Sequence, residues 1–250
     1  MTTEFPAPSL VFAHPLMNAA GSLGFAPDRR GEVDVEEFGA FVTNPISVRA
    51  RKSANPPSML PFPGGVLIHT GHPNPGLSGA VKQYAAAWQR SPVPIILHAL
   101  SSTPEEMRKA ILRLEELENV MAVELGFEAD SSSDLVTDLI QAAKGELPLI
   151  AQLPLTRAIE LAEAAMDTGA SAISLGAPRG TLLSDGKLVS GRLYGPAIFP
   201  QALEVVGQLS QAGYAVIGAG GVASAEQAET MVAAGAIAVQ LDVSLWRANK

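Results

Sequence analysis

Short apolar runs alternate along the chain with stretches in which apolar residues recur every three or four positions. Eight runs are predicted strands, because each is nearly continuous in apolar residues, as a parallel strand buried on both faces is. They lie at about 16–20, 39–43, 93–98, 120–125, 148–153, 171–175, 214–218 and 236–241. The amphipathic stretches predict helices at about 28–37, 76–90, 104–117, 131–145, 156–168, 199–213 and 224–234.

This alternation predicts an α/β protein, a single (β/α)8 TIM barrel over residues 1–250, with an open doubly wound sheet as the alternative. A barrel would place five residues at the C-terminal ends of its strands, where barrels carry their active sites: Ala19, Thr43, Glu124, Gln152 and Gly218. Two connections, 44–75 and 176–198, are too long for simple turns. We therefore expect both to be binding loops on the active face.

Two of the predicted helices begin with capping signals. Thr103 precedes Pro104, which suits the first helical position, and acidic residues follow in the first turn. Ser224 and Gln227 have the spacing of a capping box. Both signals predict the N-terminus of a helix.

Composition narrows the functional classes. Apolar residues make up 47% of the chain and charged residues 17%, which suits a large core. The net charge of −8, with no basic run, argues against a nucleic-acid or anionic-membrane partner. Cysteine is absent, which excludes thiolate metal sites and a cysteine base. No secretory signal and no membrane span is recognised, so a cytoplasmic location is expected.

A glycine-rich turn follows the seventh predicted strand, in the segment "IGAGGVASAEQA". Gly220 and Gly221 stand between a strand and a helix, where backbone N–H groups and the helix dipole can hold an anion. Barrels often bind phosphate in this loop. The segment therefore indicates a phosphate site, and the alternative is a tight turn whose glycines serve geometry alone.

Five segments in the same order along the chain carry a family resemblance: "HPLMNAAGSLGF", "GAFVTNPISVRARKSANPPS", "GGVLIHTGHPNPG", "YGPAIFPQALEVV" and "VIGAGGVASAEQAETMVAAGAIAVQ". Together they resemble the dihydroorotate dehydrogenase family of FMN-dependent barrels, oxidoreductases acting on CH–CH bonds. The resemblance implies FMN as cofactor, with contacts at Ala19, Ala20, Gly21, Thr43, Asn44, Gln152, Gly195, Gly220 and Gly221. It implies substrate contacts at Ile68, His69, Asn74 and Ala177.

Several of the family's functional positions fall on other residue types. Its two flavin-side lysines fall at Asn44 and Gln152, and its proton-accepting Cys or Ser falls at Ala129. The substrate asparagines fall at Ile68, Gly126, Ser131 and Ala177. Alanine cannot accept a proton, and the lost amides would leave polar edges of dihydroorotate unpaired. We therefore expect no dihydroorotate oxidation.

The last departure concerns the FMN phosphate. The family's Gly-Thr after the eighth strand, whose N–H groups face that phosphate, falls at Asp242-Val243. A carboxylate within about 4 Å of the dianion would cost on the order of 4 kcal/mol per unit charge at an effective dielectric of 20. FMN binding is therefore expected to be weakened or lost unless Asp242 points away or pairs with Arg192 or Arg247.

Other polar residues are weaker candidates for chemistry. Glu128 and Asp130 could replace the missing base, or form a solvated loop in which Asp130 caps the next helix. His98 ends the third predicted strand and would face the barrel mouth. His69 and His72 lie in a covering loop, and with His14 remote, no metal triad has a recognisable spacing. Three cations of the second long loop either attract an anion or are surface charges: Arg179, Lys187 and Arg192.

Three functions follow from these patterns. The first is an FMN-dependent oxidoreductase with an altered substrate, and the second is a flavin-free, catalytically inactive barrel that acts as a binding or partner subunit. The third is a lyase or isomerase of a phosphorylated small molecule that uses the glycine turn. In each case the expected ligand is a small molecule, phosphorylated or not, and a homodimer is left open.

Overall fold

The computed structural model describes residues 10–28, 31–100, 103–242 and 244–245. Its strands are β1 (Leu16–Asn18), β2 (Phe41–Val42), β3 (Ile46–Ser47), β4 (Met59–Phe62), β5 (Gly65–Ile68), β6 (Ile95–Leu100), β7 (Val120–Gly126), β8 (Leu149–Pro154), β9 (Ala172–Gly176), β10 (Arg179–Ser184), β11 (Lys187–Tyr194), β12 (Val216–Ala219) and β13 (Ala238–Leu241). Its α-helices are α1 (Gly76–Gln89), α2 (Pro104–Leu114), α3 (Ser133–Ala143), α4 (Ala158–Thr168), α5 (Phe199–Gln211) and α6 (Ala225–Ala233). Within these ranges no helix is long and apolar enough to cross a membrane.

Eight strands form a closed parallel barrel, so the (β/α)8 prediction is confirmed and the open sheet is excluded. The order is β1, β13, β12, β9, β8, β7, β6, β2. A parallel bridge between Met17 and Ala40 joins β1 to the residue before β2 and closes the ring. The short β3 extends the pairing with β6. The loops after these strands consequently surround one mouth.

The interior of the barrel is built in layers. Its floor is an apolar cluster of fully buried side chains: Met17, Ala40, Val42, Ile96, Ala122, Ile150, Ala172, Ile217 and Ala238. Small alanines alternate there with larger aliphatic residues, as in the packed interior of other barrels of this kind. Side chains alternate along a strand, so the residue two positions further on points inwards one layer higher. On five strands that residue is polar: His98, Glu124, Gln152, Ser174 and Gln240.

The two long connections, expected to be binding loops on the active face, are not irregular loops, because each contains a pair of antiparallel strands. They contribute a four-stranded antiparallel sheet in the order β10, β11, β5, β4. Asp185 and Gly186 have positive φ and form the two-residue hairpin turn between β10 and β11, a turn that favours this residue pair. Pro63 and Gly64 make the corresponding turn between β4 and β5. The sheet projects over the barrel mouth and carries one wall of the site.

The predicted helix at 28–37 is also wrong. The described part of this segment holds only a single 3-10 turn, Val35–Glu37. Gly31 closes a turn onto Asp28, and the Asp34 side chain accepts a hydrogen bond from the backbone N–H of Glu36. These local bonds satisfy the backbone without a continuous helix.

The other predicted helices are present, within a few residues of their expected ends. Thr103 accepts from the N–H of Glu106, and Ser224 accepts from that of Gln227, as the capping signals predicted. Asp130 does not cap α3: Ser132 does, because its hydroxyl accepts from Leu135. The residue nearest to the helix start, rather than the acidic one, therefore provides the cap.

Candidate site at the barrel mouth

A buried carboxylate organises the polar layer. Glu124 is fully buried, and its Oε2 lies 2.7 Å from His98 Nδ1 and 3.3 Å from Gln152 Nε2. Its Oε1 accepts from Ser174 Oγ at 2.6 Å and from Gln240 Nε2 at 2.7 Å. The five members come from β6, β7, β8, β9 and β13, so one carboxylate links five strands across the barrel.

These partners keep the carboxylate ionised. Burial alone would raise the pKa of Glu124, but the hydrogen bonds and charge of His98 and the hydrogen bonds from Ser174 and Gln240 outweigh it, so its pKa lies below the ordinary value. The His98 ring bonded to it is 2% exposed. A carboxylate bonded to one ring nitrogen fixes the orientation of the imidazole.

Two further polar residues fix the rim of this layer. Asn18 bridges β1 and β2, donating to the Val42 carbonyl at 2.7 Å and accepting from the Val42 N–H at 2.9 Å. The Thr43 hydroxyl oxygen accepts from the backbone N–H of His98 at 3.1 Å. Both residues are fully buried and satisfy backbone groups of the barrel. Their contacts are structural.

A cavity of about 40 Å³ lies directly above the polar layer. Its lining includes Ala19, Ala20, His98, Gln152, Ala177, Gly220 and Asp242. One water molecule needs about 10–15 Å³ of such space, so the cavity is large enough for a few waters. Gln240 also lines it, and its buried Oε1 has no hydrogen-bond partner among the described residues. This oxygen can accept from a water or a small ligand in the cavity.

Three side chains close the cavity on its outer side: His72, Arg192 and Tyr194, here called the partition. They line both this cavity and a second, larger one. Arg192 Nη1 donates to His72 Nε2. Burial raises the pKa of the Tyr194 phenol to about 12, and the nearby Asp242 and Glu128 act in the same direction while Arg192 opposes them. The partition therefore places a neutral phenol beside a guanidinium.

The second cavity, here called the outer cleft, has a volume of about 460 Å³. It lies between the antiparallel sheet and the loop after β7, and its lining includes Arg51, Lys52, Ile68, His69, Glu128 and Arg179 in addition to the partition. Glu128 Oε1 accepts from Arg192 Nη2 at 2.9 Å, and Arg179 Nη1 lies 3.6 Å from its other oxygen. A volume of this size is typical of small-molecule sites.

The glycine turn is present and lies against a second one. Gly195, Gly220 and Gly221 all have positive φ. A Cβ on Gly221 would lie 2.5 Å from the Gly195 carbonyl oxygen, so only glycine permits this approach. Asp242 is 6% exposed and lines the cavity together with Gly220. The close backbone approach is compatible both with a phosphate site and with a turn whose glycines serve geometry alone, and Asp242 lines the same cavity as Gly220.

The site residues predicted from the sequence are divided between the small cavity and the outer cleft. Those implied for FMN that line the small cavity are Ala19, Ala20, Gln152 and Gly220, and Ala177 lies with them. Ile68, His69 and Glu128 line the outer cleft instead. Asp130 is exposed, and Arg247, a suggested partner of Asp242, lies outside the described residues.

Two implied contact residues serve the fold. Asn74 is 6% exposed, and its Oδ1 accepts from the N–H of Gly76 at the start of α1 and from the N–H of Ser47. Asn44 Oδ1 accepts from the N–H of Gly24. In both cases a side-chain amide holds two loops together.

Sequence reasoning missed Ser174, Gln240 and Tyr194 as site residues. The first two carry a recognisable signal, a lone polar residue inside an apolar strand, two positions after a small apolar residue. Glu124 has the same signal in "VMAVELG" and was predicted only as a strand end. Within the described ranges, no group of three His, Asp or Glu residues could hold a metal ion.

Comparisons with known proteins agree with the architecture. The family model described as dihydroorotate dehydrogenase matches residues 3–127. The chain is 32% identical to the catalytic subunit of dihydroorotate dehydrogenase B (NAD(+)) of Pelobacter propionicus, over 93% of this chain and 84% of that protein. It is 29% identical to the same subunit of Trichlorobacter lovleyi, over 93% of this chain and 84% of the relative. It is also 29% identical to that of a Geobacillus species, over 94% and 82%. The chain therefore belongs to the dihydroorotate dehydrogenase family.

Proposed function

We propose that this chain is a divergent member of its family that does not oxidise dihydroorotate, holds FMN weakly or not at all, and acts as a ligand-binding barrel. The observation that carries the proposal is the closed barrel mouth. The partition leaves about 40 Å³ above the polar layer, whereas sites for cofactors and drug-sized ligands have about 300–1,000 Å³. With the side chains in this arrangement, a three-ring flavin does not fit.

The charge at the glycine turn supports the same reading. Asp242 lies on the cavity wall with Gly220, where the FMN phosphate of the family would be expected. A carboxylate side chain at this position, where the family has glycine, would repel that dianion. Gln152, in place of a flavin-side lysine, donates to Glu124 and supplies no positive charge.

The position of the catalytic base offers no proton acceptor. Ala129 has only a methyl group, and its carbonyl accepts from Arg157 at 3.1 Å. The neighbouring Glu128 directs its oxygens at Arg192 and Arg179. Without a base at this position, dihydroorotate would not lose the proton that must accompany hydride transfer. These features favour the flavin-free alternative over an FMN oxidoreductase.

Absorbance of the purified protein tests the proposal first, because bound oxidised flavin is yellow. We expect no flavin absorbance, weak binding on titration with FMN, and no dihydroorotate oxidation in the presence of excess FMN. Stoichiometric flavin in the purified protein, or turnover that is abolished by Gln152→Ala, would overturn it. A well-folded protein in circular dichroism serves as the control that the sample is competent.

A further inference from the structure

Positive charge is concentrated in the outer cleft of a chain whose net charge is −8. Its described lining holds four cationic side chains, Arg51, Lys52, Arg179 and Arg192, and one carboxylate, Glu128. Even before the imidazoles are counted, the cationic groups exceed the carboxylates by three. A concave, positively charged wall attracts anions and raises their local concentration.

The guanidinium of Arg192 is held in a fixed position. Only 18% of its side chain is exposed, and it donates both to His72 Nε2 and, at 2.9 Å, to Glu128 Oε1. Burial and the positive charge of Arg192 lower the pKa of His72 to about 3, so the ring stays neutral and serves as an acceptor. A neutral partner positions the guanidinium without cancelling its charge.

The carboxylate of Glu128, by contrast, can exchange its ion-pair partners. Its side chain is 43% exposed, and its second contact, to the 47% exposed Arg179, is 3.6 Å long. Exposed ion pairs of this kind contribute about 0–1 kcal/mol. The carboxylate therefore lies between two guanidiniums, and an incoming oxyanion would replace both of its contacts with contacts of the same kind.

We propose that the outer cleft binds a small molecule bearing a dianionic oxyanion, a phosphate ester or a dicarboxylate, which displaces Glu128 from Arg179 and Arg192. Guanidinium groups bind such oxygens in pairs, and this gives both geometry and strength. The volume of about 460 Å³ leaves room for an attached organic group. The binding role rests on the proposed function, but the site itself does not depend on whether flavin is held.

Calorimetric titration with inorganic phosphate and, separately, with malonate tests the site, at an ionic strength held constant with sodium chloride. We expect saturable binding of at least one dianion and a Kd about fivefold higher in Arg179→Gln. Lys187→Gln is the matched control, because Lys187 is exposed on the same hairpin and does not line the cleft. Binding of phosphate alone assigns the site to phosphate esters, and binding of malonate alone assigns it to dicarboxylates.

Glu128→Gln tests for the opposite effect, tighter binding. Removing the competing carboxylate should lower the Kd about threefold or more, whereas Glu229→Gln, an exposed change on α6 with the same effect on net charge, should leave it unchanged. The proposal fails if neither dianion binds, or if Arg179→Gln binds like Lys187→Gln. Flavin absorbance is recorded on the same samples. A yellow protein that still binds dianions in the cleft would refute the proposed function and leave this site standing.

Discussion

The polar layer and the outer cleft both contain a carboxylate, but the two carboxylates differ in burial and in how firmly their partners are fixed. Glu124 is fully buried and receives hydrogen bonds at both oxygens, whereas Glu128 is 43% exposed and shares two guanidiniums. A buried charge is tolerated only when its partners are fixed, while an exposed one can change partners. The inner layer thus suits a structural role, and the cleft suits reversible binding.

The first prediction concerns a substitution that disrupts the polar layer. Glu124→Ala removes the acceptor shared by His98, Ser174 and Gln240 and leaves their buried groups unpaired. The free energy of unfolding should fall by about 3–5 kcal/mol, the usual cost of removing one partner from a buried pair. Denaturant titration measures it, with the exposed Glu163→Ala on α4 as control. A loss below about 1 kcal/mol would show that the network does not hold the barrel together.

The second prediction concerns the carboxylate at the glycine turn. Asp242→Gly should increase FMN affinity, by at most about three decades if the carboxylate lies near 4 Å from the phosphate. Combining it with Tyr194→Ser should increase it further, because Tyr194 also lines the small cavity. Fluorescence titration with FMN measures both effects. Equal FMN affinity in the unmodified protein and both variants would contradict this account of the closed mouth.

The third prediction uses the pH dependence of the partition. Since the folded-state pKa of His72 is lowered to about 3, the unfolded chain takes up a proton near pH 6.5 while the folded chain does not. The contribution of His72 to stability is present above pH 6.5 and is lost as the pH falls towards 3. Between pH 6.5 and 4.5 it should amount to about 2 kcal/mol at most.

His72→Asn provides the comparison for this effect, since asparagine tolerates the positive φ of residue 72. Unfolding free energies of both proteins are measured at the two pH values. The unmodified protein should lose more stability than the variant on acidification. Identical losses would mean that the His72 ring is accessible to protons in the folded state.

The smallest effect on stability is expected at the edge of the outer cleft. Arg179→Gln removes an exposed contact at 3.6 Å, so the free energy of unfolding should change by about 0.5 kcal/mol or less. Thermal and denaturant unfolding measure the change, and Lys187→Gln again serves as the control. A loss comparable to that of Glu124→Ala would remove the distinction between the two regions.

The sequence was sufficient to predict the barrel, because each strand core is a continuous apolar run and each helix is amphipathic. It was not sufficient to predict the antiparallel sheet. The segment from Arg179 to Tyr194 was interpreted as a loop because the strands on either side of it are more strongly apolar. Its Asp185-Gly186 pair, flanked by alternating apolar and polar residues, is nevertheless a hairpin signal. The turn residues were taken as signs of a loop when they mark the centre of a hairpin.

The site was predicted in a similarly uneven way. Gly220 and Gly221 could be recognised because glycine is required where two backbones approach. The pairing of Arg192 with His72 and Glu128 could not, because these residues are separated along the chain by 120 and 64 positions. The pairing of β5 with β11 brings His72 to Arg192, and the closure of the barrel brings the loop after β7 to both. Long-range ion pairs leave no local pattern, whereas turns do.

The carboxylate that joins five strands also bears on how the chain reaches its folded state. Gln240 lies 116 positions from Glu124 and Ser174 lies 50 away, so these partners arrive only when the second half of the barrel has been added. A fragment ending before β8 would bury Glu124 beside His98 with its other donors missing. Contacts so distant in sequence are slow to form, because the long intervening segment must first be brought back. We therefore expect a half-barrel fragment of this chain to be unstable on its own. Gln240 supplies the last of the hydrogen bonds to Glu124 as the barrel is completed.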